Sequence, residues 1–190
     1  MGLTPLEGLP GATRSGSLDP SLIFHYTSTA SKISSSSTDK MYITEAEDIL
    51  NKKSGWKALT GTTDFGAVTK KAEQGDEMAK LAVDILVDRV VGYIGSYWVK
   101  MGGKVDAIVF AGGIGEKGKE FREEVCGQVE CLGVVLDKGK NEGANESDDE
   151  VIDISAGSRV KTLVVRTDEQ VRAVTNGLTE RLKWHENASR

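Results

Sequence analysis

The most regular pattern of apolar residues lies at positions 76–101, where they recur every three or four residues. This spacing places them on one side of an α-helix, so the sequence predicts a long helix with one broad buried face. Asp76 is a good N-cap residue, and Gly102 and Gly103 end the helix. The apolar positions include Met78, Leu81, Ala82, Ile85, Leu86, Val90, Val91, Ile94, Trp98 and Met101.

A nearly continuous apolar run follows at residues 105–111 and is typical of a central strand that is covered on both faces. The glycines of segment 112–115 predict a tight turn after this strand. Phe121, Val125 and Val129 then recur at helical spacing, which predicts a helix over residues 119–131.

The remaining predicted elements are shorter. Thr44-x-x-Glu47 and Thr167-x-x-Gln170 are capping boxes, which predict one helix ending near residue 53 and a final helix ending near residue 182. From residue 76 onward the order of helices and strands predicts an α/β domain with a largely parallel or mixed sheet flanked by helices. The other expectations are a turn-rich segment at 1–20, loops at 59–68 and 137–150, strands at 134–136, 152–154 and 160–165, and a frayed tail after about 184.

Composition narrows the classes of partner. The chain has 190 residues and a net charge of −5, without the basic excess of a nucleic-acid groove, so no nucleic-acid partner is expected. Its longest purely apolar stretch has five residues, far short of a membrane span, and no apolar run follows Met1. Two cysteines, Cys126 and Cys131, are too few for a disulfide framework, so we expect reduced thiols and a cytoplasmic protein. Residues 27–38 contain nine Ser or Thr, which predicts a surface insertion at about 27–40.

Glycines are concentrated between a predicted strand and a predicted helix, at positions 112, 113, 115 and 118. Such a segment lets backbone N–H groups approach an anionic ligand, although a tight turn without a ligand is the alternative. Gly113-x-Gly115-x-x-Gly118 also matches the dinucleotide fingerprint, with Asp137 placed as a ribose-binding acid. Glu116 argues against that interpretation, because its carboxylate would repel a pyrophosphate.

Three further segments contain candidate catalytic or ligand-binding residues, although each segment taken alone is more typical of surface residues without such a role. Arg14 lies in a glycine-containing segment, where a guanidinium can bind a carboxylate or a phosphate through two hydrogen bonds. Glu169 follows the last predicted strand and is a possible magnesium ligand. Asp64 and Phe65 lie in the predicted loop at 59–68, where a short acid can hold a ribose hydroxyl and an aromatic ring can flank a base.

Taken together, these segments resemble the acetate kinase (acetokinase) family. Residues 1–20, MGLTPLEGLPGATRSGSLDP, are similar to the family signature M-G-x-T-P-L-E-G…T-R-x-G-x-x-D-P, which is long and specific. The resemblance covers nearly the whole chain, with the Ser/Thr tract as a local addition. Further matching blocks follow in the family's order at residues 51–55, 106–110, 113–116, 158–160 and 167–169.

This resemblance implies a ribonuclease-H-like domain of the actin-like ATPase superfamily. The activity it implies is reversible transfer of the ATP γ-phosphoryl group to acetate, which gives acetyl phosphate and ADP and requires Mg²⁺. Arg14 would steady the acetate carboxylate and the phosphoryl group, Pro5 would line the pocket for the acetate methyl group, and Glu169 would serve the magnesium ion. The residues implied to contact the nucleotide are Asp64, Phe65, Gly66, Gly113, Ile114, Gly115, Glu116 and Lys117.

The chain also departs from the family. It has Lys117 where the family usually has Asn, Gly66 where it has Arg, and Ala12 where it has Gly. Family members run to roughly twice this length, so residues 1–190 are expected to be the carboxy-terminal domain. The amino-terminal domain, with its catalytic aspartate, histidine, asparagine and second phosphate loop, would be missing, which predicts weak or no activity alone. A homodimer is expected. The alternatives are a non-catalytic nucleotide-binding or dimerisation remnant and, less favoured, an NAD-type domain.

Overall fold

The computed structural model describes residues 6–26, 31–39 and 41–167. Within these residues, helices precede and surround a small sheet. The helices are α1 (Ser21–Tyr26), α2 (Glu45–Lys52), α3 (Gly55–Thr60), α4 (Phe65–Glu73), α5 (Glu77–Lys100), α6 (Gly112–Lys117), α7 (Lys119–Gln128) and α8 (Lys138–Gly143), with a 3₁₀ turn at Glu130–Leu132. The strands are β1 (Ala107–Ala111), β2 (Val151–Asp153) and β3 (Lys161–Val165).

The three strands form one sheet in the order β1-β3-β2. Strand β1 runs parallel to β3, with Val109 opposite Leu163, whereas β2 runs antiparallel to β3, with Ile152 opposite Val164. The prediction of an α/β domain with a mixed sheet flanked by helices is therefore confirmed. Because α6 follows β1 directly, the parallel pairing brings the start of α6 close to the end of β3.

Helix α5 has nearly the predicted bounds, and the side chain of Asp76 caps it by accepting a hydrogen bond from the Ala79 N–H at 2.9 Å. The buried face was only partly predicted. Met78, Leu81 and Ile85 are 47%, 42% and 38% exposed. Apolar residues occupy more than one face of α5, so spacing alone does not decide which face is buried. The buried positions are Ala79, Ala82, Val83, Leu86 and Val87.

A chain of aromatic rings connects the first helices to the sheet. Phe65 on α4 packs edge-on against Trp56 on α3, with ring centroids 5.1 Å apart, and against Phe121 on α7 at 6.1 Å. Phe121 in turn meets Phe110 on β1 at 6.4 Å. Edge-to-face pairs of this kind stabilise a core beyond the area they bury. These rings hold α3 and α4 against the part of the molecule that carries the glycine segment.

Several local predictions were wrong. Strand β1 was expected to be central and covered on both faces, but it lies at the edge of the described sheet, where β3 is its partner, and Val109 on it is 53% exposed. The loop expected at 59–68 is the end of α3 and the start of α4, separated by Gly61 in a left-handed conformation (φ 77°). The polar stretch at 137–150 contains α8, and the turn at 112–115 belongs to α6. Segment 134–136 makes only single bridges, Val134 to Val160 and Leu136 to Ser155, instead of a strand. Helix α1 was not predicted.

Part of the Ser/Thr tract is fastened to the domain. Ser34 is buried, and its backbone N–H donates to the Ile43 carbonyl at 2.8 Å. The hydroxyl of Ser37 also donates to the same carbonyl, at 3.0 Å. The predicted final helix, the tail, Pro5 and Glu169 lie outside the described residues. Among the described helices, none has both the length and the apolar character needed to cross a membrane.

Candidate functional site

A cleft of about 750 Å³ opens between the start of α4 and helices α6 and α7. It brings together two of the predicted nucleotide segments, which are far apart in the sequence: residues 64–66, and Gly113, Ile114 and Lys117 of segment 113–117. Gly115 and Glu116 do not line it. Lysines 70, 117 and 119 give its lining three positive charges, which are balanced by Asp64, Glu73 and Glu120. The cleft is lined by Trp56, Thr63, Asp64, Phe65, Gly66, Thr69, Lys70, Glu73, Gly113, Ile114, Lys117, Gly118, Lys119, Glu120 and Asn145.

The first segment forms the beginning of α4 instead of a loop. Asp64 is the N-cap, and its Oδ1 accepts a hydrogen bond from the Gly66 N–H at 2.9 Å. Phe65 is buried, with its ring held between Trp56 and Phe121. The indole Nε1 of Trp56 donates to the Thr63 carbonyl at 3.1 Å, which fixes the chain just before the cap. Phe65 thus contributes to the cleft from a packed position, while Asp64 is exposed on it.

The glycines of the second segment have different structural causes. Gly112 has φ +71°, a conformation that other residues rarely adopt. A Cβ at Gly115 would lie 3.2 Å from the carbonyl carbon of Phe110, and one at Gly118 would lie 2.7 Å from the Ile114 carbonyl oxygen. At Gly112 and Gly113 a Cβ would meet no atom within 4 Å, and of these two only Gly113 lines the cleft. Their number therefore reflects packing more than ligand binding, and Gly113 is the position that leaves open space beside the cleft.

The carboxylate of Glu116 does not line the cleft and is held by hydrogen bonds within the protein. Its Oε1 accepts hydrogen bonds from the Gly112 N–H at 2.9 Å, the Thr167 N–H at 2.9 Å and the Thr167 hydroxyl at 2.8 Å. These bonds, chiefly that from the Thr167 backbone, hold the pKa of Glu116 below its ordinary value. The carboxylate thus joins both ends of α6 to Thr167, the second residue after β3. Its predicted contact with the nucleotide stays a prediction.

The loop that carries Arg14 is fastened to α2 and to the residues that follow it. The Thr13 hydroxyl donates to the Asn51 carbonyl at 2.9 Å, and the Ser15 N–H donates to the Leu50 carbonyl at 2.9 Å. The side chain of Arg14 is exposed. Residues 51–55, which begin at the end of α2, form one of the blocks that resemble the family. The hydrogen bond from Thr13 to the Asn51 carbonyl gives this block a structural role.

Gly55 allows the loop that carries Arg14 to pack closely against α3, the helix that contributes Trp56 to the cleft. It has φ +67°, and a Cβ there would lie only 2.0 Å from the Gly11 carbonyl oxygen. That oxygen accepts a hydrogen bond from the Trp56 N–H at 3.3 Å, and Trp56 lines the cleft. The loop with Arg14 therefore lies against the same helix start that forms one wall of the cleft.

Sequence reasoning missed several residues of this region, including Lys70 in the lining of the cleft. Trp56 and Asn145 line the cleft. Gly55 and Arg122 do not line it, but Gly55 lets the Arg14 loop pack against α3, and Arg122 donates hydrogen bonds to α6. Asn145 lies in a polar stretch that was expected to be a loop, and Arg122 lies in a helix where an arginine is typical of the exposed face. Only Gly55 had a signal, since it ends the block at 51–55 that resembles the family.

No metal site is formed by the described residues themselves. They contain no group of three or more His, Cys, Asp or Glu side chains that could hold an ion. Magnesium at a phosphate site commonly uses only one or two carboxylates together with water and phosphate oxygens, which is the role predicted for Glu169. Cys126 and Cys131 are free thiols, as predicted. Asp137, the acid considered for a dinucleotide, instead caps α8 by accepting from the Lys140 N–H at 3.0 Å.

Comparison with known proteins gives a consistent set of similarities. Residues 1–175 match the family model described as the acetokinase family. The probable acetate kinase of Emericella nidulans is 55% identical over 179 residues, which cover 93% of this chain and 42% of that protein. The crystal structure of Porphyromonas gingivalis acetate kinase superposes with a TM-score of 0.76 at 33% identity, covering 94% of this chain and 42% of that one. A propionate kinase from Francisella tularensis gives a TM-score of 0.72 at 36% identity, with coverage of 90% and 40%. The chain thus spans about two fifths of the length of these relatives.

Proposed function

The chain belongs to the acetokinase family, and from this premise we propose that it is the nucleotide-binding, carboxy-terminal part of an acetate kinase. The resemblance seen in the sequence is confirmed, as is the actin-like ATPase fold class. In the proposed reaction an acetate oxygen forms a bond to the γ-phosphorus of ATP while the bond from that phosphorus to the β-phosphate oxygen breaks. The products are acetyl phosphate and ADP, and the reaction is reversible.

The observation that carries the proposal is that residues 64–66 share one cleft with Gly113, Ile114 and Lys117. The resemblance assigns both segments to the nucleoside, and each could have been placed elsewhere by the fold. The cleft volume of about 750 Å³ lies within the range of small-molecule sites. An adenosine group therefore has room between α4 and α6.

The residues of the cleft offer complementary contacts for a nucleoside. Asp64 is exposed and carries carboxylate oxygens that can accept from a ribose hydroxyl. Ile114 gives an apolar surface for a base, and the open position at Gly113 allows the ligand to approach the backbone closely. The charges of the lining balance, but Lys70 and Lys117 carry ammonium groups that can donate to phosphate oxygens.

Arg14 is the residue proposed to act on the transferred group. A guanidinium can hold a carboxylate or a phosphoryl group through paired hydrogen bonds, which positions the two reactants and offsets their charge. Pro5 is proposed to line the pocket for the acetate methyl group, and Glu169 is proposed as the magnesium ligand. When bound, Mg²⁺ supplies further neutralisation of phosphate charge.

The proposed activity depends on more than this chain. Since the chain spans about two fifths of its relatives, many of the contacts to the transferring phosphoryl group would come from the remainder. We therefore expect weak or no formation of acetyl phosphate by the chain alone. Supplying the remaining part of a relative in trans should restore activity, and Arg14→Ala should abolish it without changing the affinity for ADP.

A second candidate is a non-catalytic module that binds nucleotide or dimerises. The exposed apolar side chains of α5, among them Leu81, Ile85 and Tyr97, favour the dimerisation part of this alternative. The same surface supports the homodimer expected for an acetate kinase. The two candidates differ in trans complementation, because only the kinase gains activity from the missing part.

Calorimetric titration tests the nucleotide site. We would titrate the chain, shown to be folded by circular dichroism, with Mg–ADP and separately with NAD, and we expect binding of Mg–ADP only. Gly113→Leu should weaken Mg–ADP binding at least tenfold, because it places a side chain in the open space of the cleft. Gly127→Leu is the matched control, since Gly127 also has open space but lies on α7 away from the cleft.

Other outcomes of the titration contradict the proposal. Binding of NAD without Mg–ADP would favour the dinucleotide alternative. A folded chain that binds neither ligand would contradict a nucleotide site formed by these residues alone. Equal effects of the two glycine substitutions would place the bound nucleotide elsewhere.

A further inference from the structure

Arg122 is a fully buried arginine on α7. Burying a charged group is costly unless its hydrogen bonds are satisfied. No ion pair joins Arg122 to a carboxylate within the residues that the structure describes. Burial lowers the pKa of the guanidinium, yet an arginine in a protein keeps its charge. The compensation for this buried charge must therefore come from neutral acceptors.

Five hydrogen bonds provide that compensation, as many as the guanidinium has N–H donors. Nη1 donates to the carbonyl oxygens of Gly115 at 2.9 Å and of Glu116 at 2.7 Å. Nε donates to Oδ1 of Asn141 at 2.6 Å, and Nη2 donates to the Asn141 carbonyl at 3.1 Å and to Oδ1 of Asn145 at 3.3 Å. With its donors engaged inside the protein, Arg122 has no role in direct contact with a ligand.

The bonds to Gly115 and Glu116 fix the end of α6. The last carbonyl groups of a helix have no partner within the helix, and a cation near them also complements the helix dipole. Arg122 takes two of these carbonyls, and the side-chain amide of Asn145 donates to the third, that of Lys117, at 3.0 Å. The end of α6 is thus held from α7 and from the residues after α8.

Helix α6 needs such support because it has only six residues. A helix of this length is unstable by itself, so outside contacts set its position. The helix is also attached through the Glu116 carboxylate, which accepts a hydrogen bond from the Thr167 N–H, and through Ile114, which packs against the core. The same short helix presents Gly113 and Ile114 to the cleft. Any movement of α6 therefore changes the wall against which the nucleoside is proposed to lie.

We propose that Arg122 is a positioning residue for nucleotide binding, which holds α6 so that Gly113 and Ile114 form the wall of the nucleoside cleft. This inference rests on the proposed function of the cleft. The inference adds a residue that does not line the cleft and that acts only through the backbone of α6. A displacement of about 1 Å in a binding wall is enough to reduce function strongly.

Two substitutions separate this role from a general contribution to folding. Arg122→Met keeps an unbranched apolar stem but removes the five donors and leaves the α6 carbonyls unpaired. It should weaken Mg–ADP binding at least tenfold. Arg122→Lys keeps a cation but loses the planar fork, so we expect a smaller loss of about two- to fivefold. The matched control is Val125→Ala, which removes buried volume from the same helix without a bond to α6.

The experiment measures the dissociation constant of Mg–ADP by calorimetry at a temperature where circular dichroism shows every variant folded. Amide hydrogen exchange of residues 113–118, followed without nucleotide, provides the second measurement. We expect faster exchange there in Arg122→Met and wild-type exchange in Val125→Ala. We also expect Val125→Ala to lower the melting temperature and leave the dissociation constant unchanged.

The inference is overturned if Arg122→Met binds Mg–ADP as tightly as the wild type, or if Val125→Ala loses affinity to the same extent. Should Arg122→Met fail to fold, Arg122→Lys decides the question, because wild-type affinity in that variant contradicts the positioning role. A wild-type chain that binds no Mg–ADP would instead contradict the proposed function itself, and that result is obtained before any variant is compared.

Discussion

The carboxylate of Glu116 accepts hydrogen bonds from both the backbone N–H and the hydroxyl of Thr167, which lies 51 residues further along the chain. Through the same oxygen it also accepts from the Gly112 N–H. A single side chain therefore connects the start of α6 to Thr167, two residues past the end of β3. The proposed magnesium ligand, Glu169, comes two residues after Thr167 in the sequence. The contact between Glu116 and Thr167 therefore links α6, which forms one wall of the proposed nucleotide cleft, to the chain segment that leads to Glu169.

Replacing Glu116 by Gln should lower stability in a pH-dependent way. The hydrogen bonds lower the pKa of Glu116 in the folded state from its ordinary value of 4.5, so the charged carboxylate stabilises the fold. This contribution is fully present above about pH 4.5 and is lost as the pH falls through the lower, folded-state pKa. We expect Glu116→Gln to cost on the order of 1 kcal/mol near neutral pH.

The measurement is the melting temperature of both proteins between about pH 3 and pH 8. The difference between wild type and Glu116→Gln should be largest near neutral pH and should narrow below about pH 4.5. Glu142→Gln, an exposed position on α8, is the control and should change the melting temperature little near neutral pH. A difference that grows on acidification would contradict the assigned role of the carboxylate.

The sequence predicted those elements that have long or uniform apolar patterns. Helix α5, helix α7 and strand β1 follow from such patterns. It failed for α3, α4 and α8, because these short helices are set by caps such as Gly61 and Asp64 and by aromatic packing from distant parts of the chain. A stretch of four polar residues and two glycines such as α8 has no apolar periodicity that could distinguish it from a loop.

The candidate site was predicted mainly through the family resemblance. Spacing alone gave no reason to bring residues 64–66 next to residues 113–117. Glu116 and Thr167 are 51 residues apart in the sequence, and no local sequence pattern predicts a hydrogen bond between residues so far apart. Arg122 could not be recognised either, since its burial depends on acceptors from α6 and on Asn141 and Asn145.

Replacing Gly55 by Ala should destabilise the protein strongly. Its φ is +67°, and a Cβ would lie 2.0 Å from the Gly11 carbonyl oxygen, so the Arg14 loop must move away from α3. Gly61→Ala is the matched control, because Gly61 has a similar φ of +77° but open space around it. The strained conformation alone costs about 1–2 kcal/mol.

Urea denaturation of both variants separates strain from steric contact. We expect Gly61→Ala to lose about 1–2 kcal/mol and Gly55→Ala to lose at least about 3 kcal/mol, because overpacking adds to the strain. Gly55→Ala should also reduce any activity that depends on Arg14. Equal losses in the two variants would show that the close approach of the loop to α3 is unimportant for stability.

Replacing Gly66 by Arg should tighten nucleotide binding. The family resemblance places an arginine at this position, and Gly66 lines the cleft at the start of α4. A Cβ there would lie 3.4 Å from Oδ1 of Asp64, an ordinary contact, so the fold accepts a side chain. A guanidinium stacked on a base contributes about 0.5–1 kcal/mol at an exposed site, which corresponds to about a two- to fivefold lower dissociation constant.

Gly66→Ala is the control for that substitution, because it changes helix propensity in the same direction without adding a guanidinium. Calorimetric titration with Mg–ADP should give the order Gly66→Arg tighter than Gly66→Ala, and Gly66→Ala close to the wild type. If Gly66→Arg binds no more tightly than Gly66→Ala, the base does not lie beside the start of α4.

The exposed apolar side chains of α5 predict self-association. Met78, Leu81 and Ile85 are exposed near one end of the helix, and Tyr93 and Tyr97 stack with ring centroids 6.3 Å apart towards the other. Several exposed apolar side chains on one helix commonly mark an interface. With the homodimer expected for the family, we predict that this face of α5 meets a second copy of the chain.

Analytical ultracentrifugation tests the prediction with one variant for each end of the helix. The double substitution Leu81→Lys/Ile85→Lys or the single substitution Tyr97→Lys should shift the chain towards monomer at micromolar concentration. The melting temperature extrapolated to low concentration should stay near that of the wild type, because these positions are already exposed and lysine favours helix. Val151→Lys on β2, an equally exposed apolar site, should leave the dimer intact. A wild-type chain that remains monomeric at hundreds of micromolar, or two α5 variants that remain dimeric, would contradict an interface on this helix.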